Sequence, residues 1–370
     1  MPFDGTMKVG SLLLAALVVL VAGCTDKPLV EKNAEVQEEA PAEPQAVDVD
    51  PSAFDSKDPT THVHPSLSRP LPQNLRWEAI APMPLPRAEH CVANIGSTFH
   101  VIGGFLIPSV NDSPLVLPAG GGPIPSAMHE IYDATTDTWA SGPDYPNTLD
   151  HAVCTEFGNE IYVFLGEENS YKYNPDSNAW IQIPGPANSH NAGVATVIGY
   201  NIYLTAGGSE TVDIFDPGSG KWTTLDGEGK TIPTARGHTS GAAVHGKLYV
   251  AGGDVGGHSN NTAANEAFDP DAKVWSSKAP IPVVRGSTAG VYWLDRLVIM
   301  GGQSGDDGTE AYRNVDAYDP MIDSWTALPP MPSGRHGFGA GVWNNDIYVF
   351  GGAPKQGIYG FADSAVMRSG

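Results

Sequence analysis

Six tryptophans recur along most of the chain at intervals between 41 and 62 residues, and this spacing constrains the fold more than any other feature. They are Trp77, Trp139, Trp180, Trp222, Trp275 and Trp325. Periods of this size are typical of arrays of one repeated supersecondary unit. An aromatic residue followed by Asp or Asn precedes each of the last five tryptophans, as in Tyr318-Asp319-Pro320, and this pattern predicts a tight turn in each unit.

Two further sequence features recur at nearly constant spacings from the tryptophans. An arginine begins a new stretch ten to fourteen residues after Trp77, Trp222, Trp275 and Trp325, while Leu149 and His190 take that place in the other two units. A glycine pair follows each arginine by sixteen residues, at Gly103-Gly104, Gly252-Gly253, Gly301-Gly302 and Gly351-Gly352. Marks that recur in the same order indicate a true internal repeat.

Each unit contains four short β-prone runs, such as the run Ile347 to Phe350. Four antiparallel strands repeated around a centre form a β-propeller, which leaves few sheet edges open. The glycine pair, the aromatic-Asp-Pro turn and the Trp resemble the kelch repeat from about Trp77 to Gly352. The resemblance implies an all-β fold, a six-bladed kelch-type β-propeller with four-stranded antiparallel blades. It leaves the function open, because kelch propellers include both binding modules and enzymes.

The two ends of the repeat region are incomplete in complementary ways. The segment Leu75 to Ile80 contains a Trp-led strand with no strands before it, whereas the last unit has one possible strand, within 360–367, after its glycine pair. We therefore expect the N-terminal strand to complete the last blade and to close a ring of six.

The N-terminus predicts export. Lys8 precedes an apolar run from Leu12 to Val21, which is too short to span a bilayer and is typical of a secretory signal. The run ends at Leu20-Val21-Ala22-Gly23-Cys24, which resembles a bacterial lipobox and implies lipidation of Cys24. The alternative is a plain signal peptide in which Cys24 is incidental. Predicted domains are a lipoprotein signal peptide at 1–24, a disordered acidic Pro/Ala-rich tether at 25–72 and the propeller at 73–370.

These features predict a location and exclude one class of partner. We expect a bacterial cell-envelope protein, lipid-anchored, at the outer membrane facing the periplasm or at the cell surface. A net charge of −22 argues against nucleic acid, because a phosphate backbone requires clustered Lys and Arg. The expected partner is an envelope protein or an anionic small ligand, with membrane contact through the lipid anchor only. The oligomeric state is open.

Cations and histidines cluster at one face of the expected ring. In an antiparallel meander the loop after strand two and the connection into the next blade share a face. Histidines accompany the arginine positions there, and Glu89 lies beside them. The predicted ligand-binding residues are Arg87, His90, His151, His190, Arg236, His238, Arg285, Arg335 and His336. They favour a sugar acid or an acidic peptide. The alternative is that the arginines donate to backbone carbonyls of neighbouring blades and serve the fold.

The function expected from the sequence is binding or scaffolding without catalysis. No catalytic residue, metal site or cofactor is predicted. The alternative is a periplasmic carbohydrate-processing enzyme similar to sialic acid mutarotase, a member of the same family. Cys91 and Cys154 stand one residue out of step between equivalent strands, so we expect two buried free thiols.

Overall fold

The computed structural model describes residues 68–106, 123–257, 260–305, 309–357 and 360–370. Contacts divide the chain into Met1–Asp55 and Ser56–Gly370, and all described residues belong to the second unit. The predicted signal peptide, Cys24, nearly all of the predicted tether and residues 107–122 of the propeller lie outside the described residues. Within the described ranges no helix is long and apolar enough to cross a membrane.

Six four-stranded antiparallel sheets make up nearly all of the described structure. We number them I to VI along the chain. Sheet I contains Cys91–Ile95, Thr98–Ile102, His129–Asp133 and Thr138–Ser141; sheet II contains Val153–Phe157, Glu160–Phe164, Tyr171–Asn174 and Ala179–Gln182; sheet III contains Val194–Ile198, Asn201–Thr205, Val212–Asp216 and Lys221–Leu225.

The second half of the chain repeats this plan, except that the last sheet takes its outer strand from the start of the chain. Sheet IV contains Ser240–Val244, Lys247–Ala251, Asn265–Asp269 and Val274–Ser277; sheet V contains Ala289–Trp293, Arg296–Met300, Val315–Asp319 and Ser324–Ala327; sheet VI contains Gly339–Trp343, Asp346–Phe350, Ser364–Ser369 and Leu75–Ile80. A seventh, small sheet pairs Arg87–Ala88, Phe105–Leu106 and Ile124–Pro125.

Burial within each sheet follows the order of its strands. The second strands are near-continuous apolar runs and are the most buried, because other sheets cover both of their faces. The fourth strands of sheets I, IV and V are half-buried at the Trp and exposed over their last two residues, as expected for the outer edge. The first strands of successive sheets lie side by side, and the first strand of sheet VI lies beside that of sheet I.

The two chain ends share sheet VI, as the sequence predicts. Leu75 lies opposite Ser369 and Ile80 opposite Ser364 in an antiparallel pairing. Ser68 and Arg69, which the sequence assigns to the tether, also contact the body: Ser68 Oγ donates to Asp319, and Arg69 forms an ion pair with Asp295 at 2.9 Å.

The repeated tryptophans join neighbouring sheets. Each indole Nε1 donates to a backbone carbonyl that follows the outer strand of the preceding sheet, at 2.8 to 3.0 Å. The pairs are Trp77 with Pro329, Trp139 with Ala81, Trp180 with Pro143, Trp222 with Pro184, Trp275 with Lys230 and Trp325 with Ala279. Each tryptophan therefore connects its own sheet to the preceding one.

Both predicted thiols are free, with Cys91 buried and Cys154 only partly buried. They lie on adjacent first strands and pack in one apolar cluster. Burial raises the pKa of the Cys154 thiol, and contact with Cys91 raises it further.

Candidate ligand-binding site

The repeated arginines are buried inside the sheets. Arg87, Arg236 and Arg285 stand four residues before the first strands of sheets I, IV and V. They donate to Glu130, Glu266 and Asp316, which lie on the third strands of those sheets. Arg335 donates to the carbonyls of Gly351 and Asp363 and packs on the ring of Phe361. All four are at most 3% exposed. This burial corrects the expectation that they hold an anion: their donors are directed into the fold.

His190 repeats the same arrangement in sheet III. Its Nδ1 donates to the carbonyl of Ala206 and its Nε2 to Asp213, at 2.9 and 2.8 Å, with both side chains buried. It is therefore also removed from the predicted ligand set. In sheet II, Leu149 replaces the cation and Tyr171 stands at the place of the acid, so neither charge is left unpaired.

A sequence signal for these pairs exists and was missed. The acids Glu130, Asp213, Glu266 and Asp316 each stand nine residues before a repeat tryptophan. An acid at a fixed place in a buried third strand, with a cation at a fixed place earlier in the unit, predicts an internal pair, because buried charges require partners.

Six residues, one just before each first strand, form a feature that we call the axial ring. They are Glu89, His151, Ala192, His238, Ser287 and Gly337. Each has a left-handed backbone, with φ between +47° and +56°. The same unusual conformation in all six units marks one repeated turn at the centre of the molecule.

Backbone hydrogen bonds connect the axial ring into a complete circle. The amide of His151 donates to the carbonyl of Glu89, and the amide of Ala192 to that of His151. The carbonyl of Ala192 accepts from the amide of Thr239, the residue after His238. The remaining donors are Ser287 to His238, Gly337 to Ser287 and Glu89 to Gly337.

A small pocket of about 120 Å³ opens at this ring, and we call it the axial pocket. Its lining includes Glu89, His151, His238, Thr239 and Phe338. The side chains of the first three are 18%, 21% and 17% exposed, so solvent reaches them. One ligand-type atom from each of these three residues lies within 4.8 Å of the others.

Each histidine of this cluster is held by a carboxylate. Asp150 Oδ1 lies 2.6 Å from His151 Nδ1, and Asp254 Oδ2 lies 3.0 Å from His238 Nδ1. Burial alone would lower the pKa of His238, but its hydrogen bond to Asp254 and the charge of Glu89 outweigh it and raise that pKa. Asp254 lies in the loop after the second strand of sheet IV, so that loop contributes to this face, as the topology predicts.

Glu89 is surrounded by imidazoles. Its Oε2 lies 3.4 Å from His151 Nε2, and its Oε1 lies 3.8 Å from His336 Nδ1. Burial would raise the pKa of Glu89, but His336, His151 and His238 together lower it well below its usual range. A carboxylate and several imidazoles in contact can bind a cation or donate and accept hydrogen bonds with a polar ligand.

The other predicted histidines contribute less. His336 donates from Nε2 to the carbonyl of Lys355 at 2.8 Å and lies behind Glu89. His90 borders the pocket, but its ring is buried and donates to the carbonyl of Phe350. Burial first, and then the nearby Arg87 charge, lower the pKa of His90 to about 3, which keeps it neutral.

A larger cavity of about 850 Å³ lies between the first strands. Its walls are mostly glycine, alanine and valine, and its polar side chains, such as Asn94 and Glu156, are spread along it. It extends to Tyr292 and Asp295 beside Arg69, at the opposite end of the first strands from the axial ring. Ionisable side chains converge in the axial pocket and are spread apart in the larger cavity, so the axial pocket is the stronger candidate site.

A family model described as the KLHDC2/KLHL20/DRC7 Kelch-repeats domain matches residues 154–352. The chain belongs to the Kelch-repeat family. Kelch-like protein terF of Aspergillus terreus is 26% identical over 327 residues, which cover 79% of this chain and 67% of that protein. Beta-scruin of Limulus polyphemus is 25% identical, covering 65% of this chain and 27% of that protein.

Further Kelch proteins show the same partial coverage. Kelch-like protein 23 of Homo sapiens is 25% identical, covering 78% of this chain and 49% of that protein. The chain thus spans about two thirds of the Aspergillus protein and half or less of the other two relatives. The solved structure of YjhT superposes with a TM-score of 0.61 at 15% identity, covering 78% of this chain and 99% of that one. At this identity the likeness concerns the fold alone.

The arginines are therefore paired within the repeat, and the axial cluster is built from side chains that differ between the six units. Of the nine predicted ligand residues, the structure brings His151 and His238 together with Glu89 and places His336 beside them. Asp150 and Asp254 were missed, although Asp150 directly precedes His151 in the sequence and Asp254 lies sixteen residues after His238 in the same unit.

Proposed function

We propose that this chain is a lipid-anchored cell-envelope protein whose six-bladed Kelch propeller is a binding module, with the axial pocket as its ligand site. The observation that carries the proposal is the convergence of Glu89, His151 and His238 from three sheets in a solvent-reached pocket. The repeat arginines are buried, and three of them are paired with carboxylates of the sheets, so solvent does not reach them as it reaches the axial cluster.

The chemistry of the pocket changes the expected ligand. A sugar acid or acidic peptide was predicted from the arginines, and their burial removes that support. Glu89, whose pKa is held low, would repel a ligand carboxylate. We therefore propose a ligand with cationic or hydroxyl groups at the pocket, while sugar acids and acidic peptides stay in the test as competitors.

One observation favours an enzyme as the second candidate. Glu89 Oε2 and His151 Nε2 lie 3.4 Å apart in an open pocket, and a carboxylate beside an imidazole is a common acid–base pair. A carbohydrate-processing enzyme similar to sialic acid mutarotase would use such a pair for proton transfer during ring opening.

A ligand screen tests the binding site. The full chain in detergent would be titrated with neutral sugars, amines, sialic acids, uronic acids and acidic peptides, and sugar turnover would be followed by NMR. We expect binding that Glu89→Gln weakens at least about tenfold, the effect of one lost charge-assisted contact. Anomer interconversion that Glu89→Gln abolishes would select the enzyme. Binding that is unchanged in Glu89→Gln but lost in Arg285→Ala would reject the axial pocket.

A labelling experiment tests the anchor. Cells that express the chain would be fed an alkyne-tagged fatty acid, and the purified protein would be analysed for the tag. We expect label on the wild type and none on Cys24→Ser. Equal label on both, or none on either, would reject lipidation at Cys24.

A further inference from the structure

The donor atoms of the axial pocket form a ligand set for a metal ion. Glu89, His151 and His238 each offer one atom within 4.8 Å of the other two, and Glu89 Oε2 lies 3.4 Å from His151 Nε2. Two ligand atoms on a tetrahedral zinc ion lie about 3.3 Å apart, given bonds of about 2.0 Å. The glutamate–histidine distance already fits this geometry, and the remaining pairs need side-chain shifts of about 1.5 Å at most.

We propose that Glu89, His151 and His238 bind a divalent transition-metal ion. Two imidazole nitrogens and one carboxylate oxygen suit zinc or iron, whereas calcium and magnesium prefer oxygen ligands alone. The inference rests on the proposed function in one respect: it uses the same axial pocket, and it names a metal ion as the pocket's cation.

Both histidines have the carboxylate partner on Nδ1 that metal-binding histidines usually have. Asp150 accepts from Nδ1 of His151 and Asp254 from Nδ1 of His238. A carboxylate on Nδ1 fixes the tautomer in which Nε2 carries the lone pair, and it makes that nitrogen a better ligand. Both histidines have this partner, although the two carboxylates come from unrelated loops.

The backbone holds the three ligands in fixed positions. Glu89, His151 and His238 have φ values of +56°, +54° and +47°, in a region that few residues with side chains adopt. Backbone hydrogen bonds connect each of them to neighbouring units of the axial ring. Non-glycine residues in this conformation cluster at functional sites.

The neighbouring ring position leaves space for the glutamate. Gly337 is the member of the axial ring beside Glu89, and a Cβ added there would collide with the Glu89 carboxylate. At two further ring positions, Ala192 and Ser287, the side chains are small. The ring thus combines three ligand side chains with three positions that do not crowd them.

Three protein ligands leave coordination positions open toward the pocket. The ligand side chains are 17% to 21% exposed, so water or a ligand group can complete the coordination. Sites with three protein ligands and an open position bind substrates, whereas closed four-ligand sites serve the fold. The geometry therefore indicates a metal ion that takes part in ligand binding.

Zinc titration of the full chain tests this site. The protein, purified in detergent and stripped with a chelator, would be titrated with Zn²⁺ in competition with a chromophoric chelator. We expect one tight site per chain, with affinity lowered at least about 100-fold in His151→Asn and His238→Asn and in Glu89→Gln, and about 10- to 100-fold in Asp254→Asn. Asparagine tolerates the left-handed backbone, so these variants remove the imidazole without adding backbone strain.

Two controls separate the axial site from other histidines. His245→Asn changes a histidine with φ +49° that borders the large cavity, and His62→Asn/His64→Asn removes the histidines of the N-terminal segment. Both should bind zinc as the wild type does. Substitution with Co²⁺ should give visible absorption bands that His238→Asn abolishes.

Zinc binding that is equal in His151→Asn, His238→Asn and wild type, or that only His62→Asn/His64→Asn abolishes, would overturn the proposal. So would a wild type that binds zinc no tighter than about 100 μM, which is about 5.5 kcal/mol by the standard relation. Failure of the metal site leaves its own signature: the stripped protein would still bind an organic ligand in a Glu89-dependent way. If zinc binds and no organic ligand does, the metal site stands and the broader binding function fails.

Discussion

Arg285 Nη2 lies 2.7 Å from Asp316 Oδ2 inside sheet V, and both side chains are buried. The pair connects the loop before the first strand to the third strand of the same sheet. The same relation recurs between Arg87 and Glu130 and between Arg236 and Glu266. The most regular charge pattern in the sequence therefore belongs to the architecture of the sheets that carry it.

Removing Asp316 should destabilise the protein strongly. Asp316→Ala leaves the Arg285 guanidinium buried without its carboxylate, and the loss of one partner of a buried pair costs about 3–5 kcal/mol. The free energy of unfolding from urea denaturation measures this cost. Glu310→Ala is the matched control, because Glu310 pairs with Lys355 at the surface, where a pair contributes about 1 kcal/mol or less. Equal effects of the two substitutions would contradict the structural role of Arg285.

Gly337→Ala should weaken zinc binding in the axial pocket, while its cost in free energy of unfolding should match that of a control glycine substitution. The added methyl group collides with the Glu89 carboxylate and displaces it. Gly96→Ala is the control, since Gly96 has φ +55° against +56° for Gly337 but has open space around its Cβ position. Both variants should lose about 1 kcal/mol from backbone strain. Only Gly337→Ala should weaken zinc binding, and equal zinc affinity in both variants would argue against Glu89 as a ligand.

Stability should fall as the pH falls below about 6.5, because of buried neutral histidines. His100 Nδ1 donates to His129 Nε2 at 2.8 Å, and His129 Nδ1 donates to the carbonyl of Pro143. Burial lowers the pKa of His100 to about 4, and burial and His100 lower that of His129 to about 3. Below pH 6.5 the unfolded chain binds protons that the folded chain excludes.

Each such histidine should lower the free energy of unfolding by about 1.4 kcal/mol per pH unit between pH 6.5 and its folded pKa. Urea denaturation at pH 7.5, 6 and 5 measures this slope. His100→Gln removes one titrating ring and keeps a donor toward His129, so its slope should be shallower than that of the wild type. A parallel slope in the variant would show that His100 does not titrate as expected.

The sequence was informative where the information is local and repeated. The tryptophan spacing predicts the order of strands, and the incomplete ends predict that Leu75–Ile80 joins Ser364–Ser369, because a Trp-led strand without neighbours must pair elsewhere. The partner of Arg285 was mistaken: an external ligand was expected where the structure has a carboxylate of the protein. An arginine in a loop suggests a ligand at the surface. The acid at the equivalent place on the third strand, Asp316 in this unit, would have indicated an internal ion pair.

The axial cluster could not be derived in the same way. His151 and His238 lie in different units, and their approach to Glu89 depends on how far the first strands stand from the centre and on the left-handed turn before each strand. Nothing in the local sequence specifies either quantity. The histidines were identified as candidates, and their carboxylate partners were overlooked: Asp150 is adjacent to His151, and Asp254 lies in the same unit as His238. Only the meeting of the two histidines with Glu89 depends on the assembled ring.

The most direct measurement is anomalous diffraction at the zinc absorption edge from a crystal of the protein grown with Zn²⁺. We predict one strong anomalous peak about 2.0 to 2.2 Å from Glu89, His151 and His238, with Arg285 still paired to Asp316 inside sheet V. A peak on other residues, or an axial pocket without zinc and a ligand or ion held by the Arg285 guanidinium, would contradict the account.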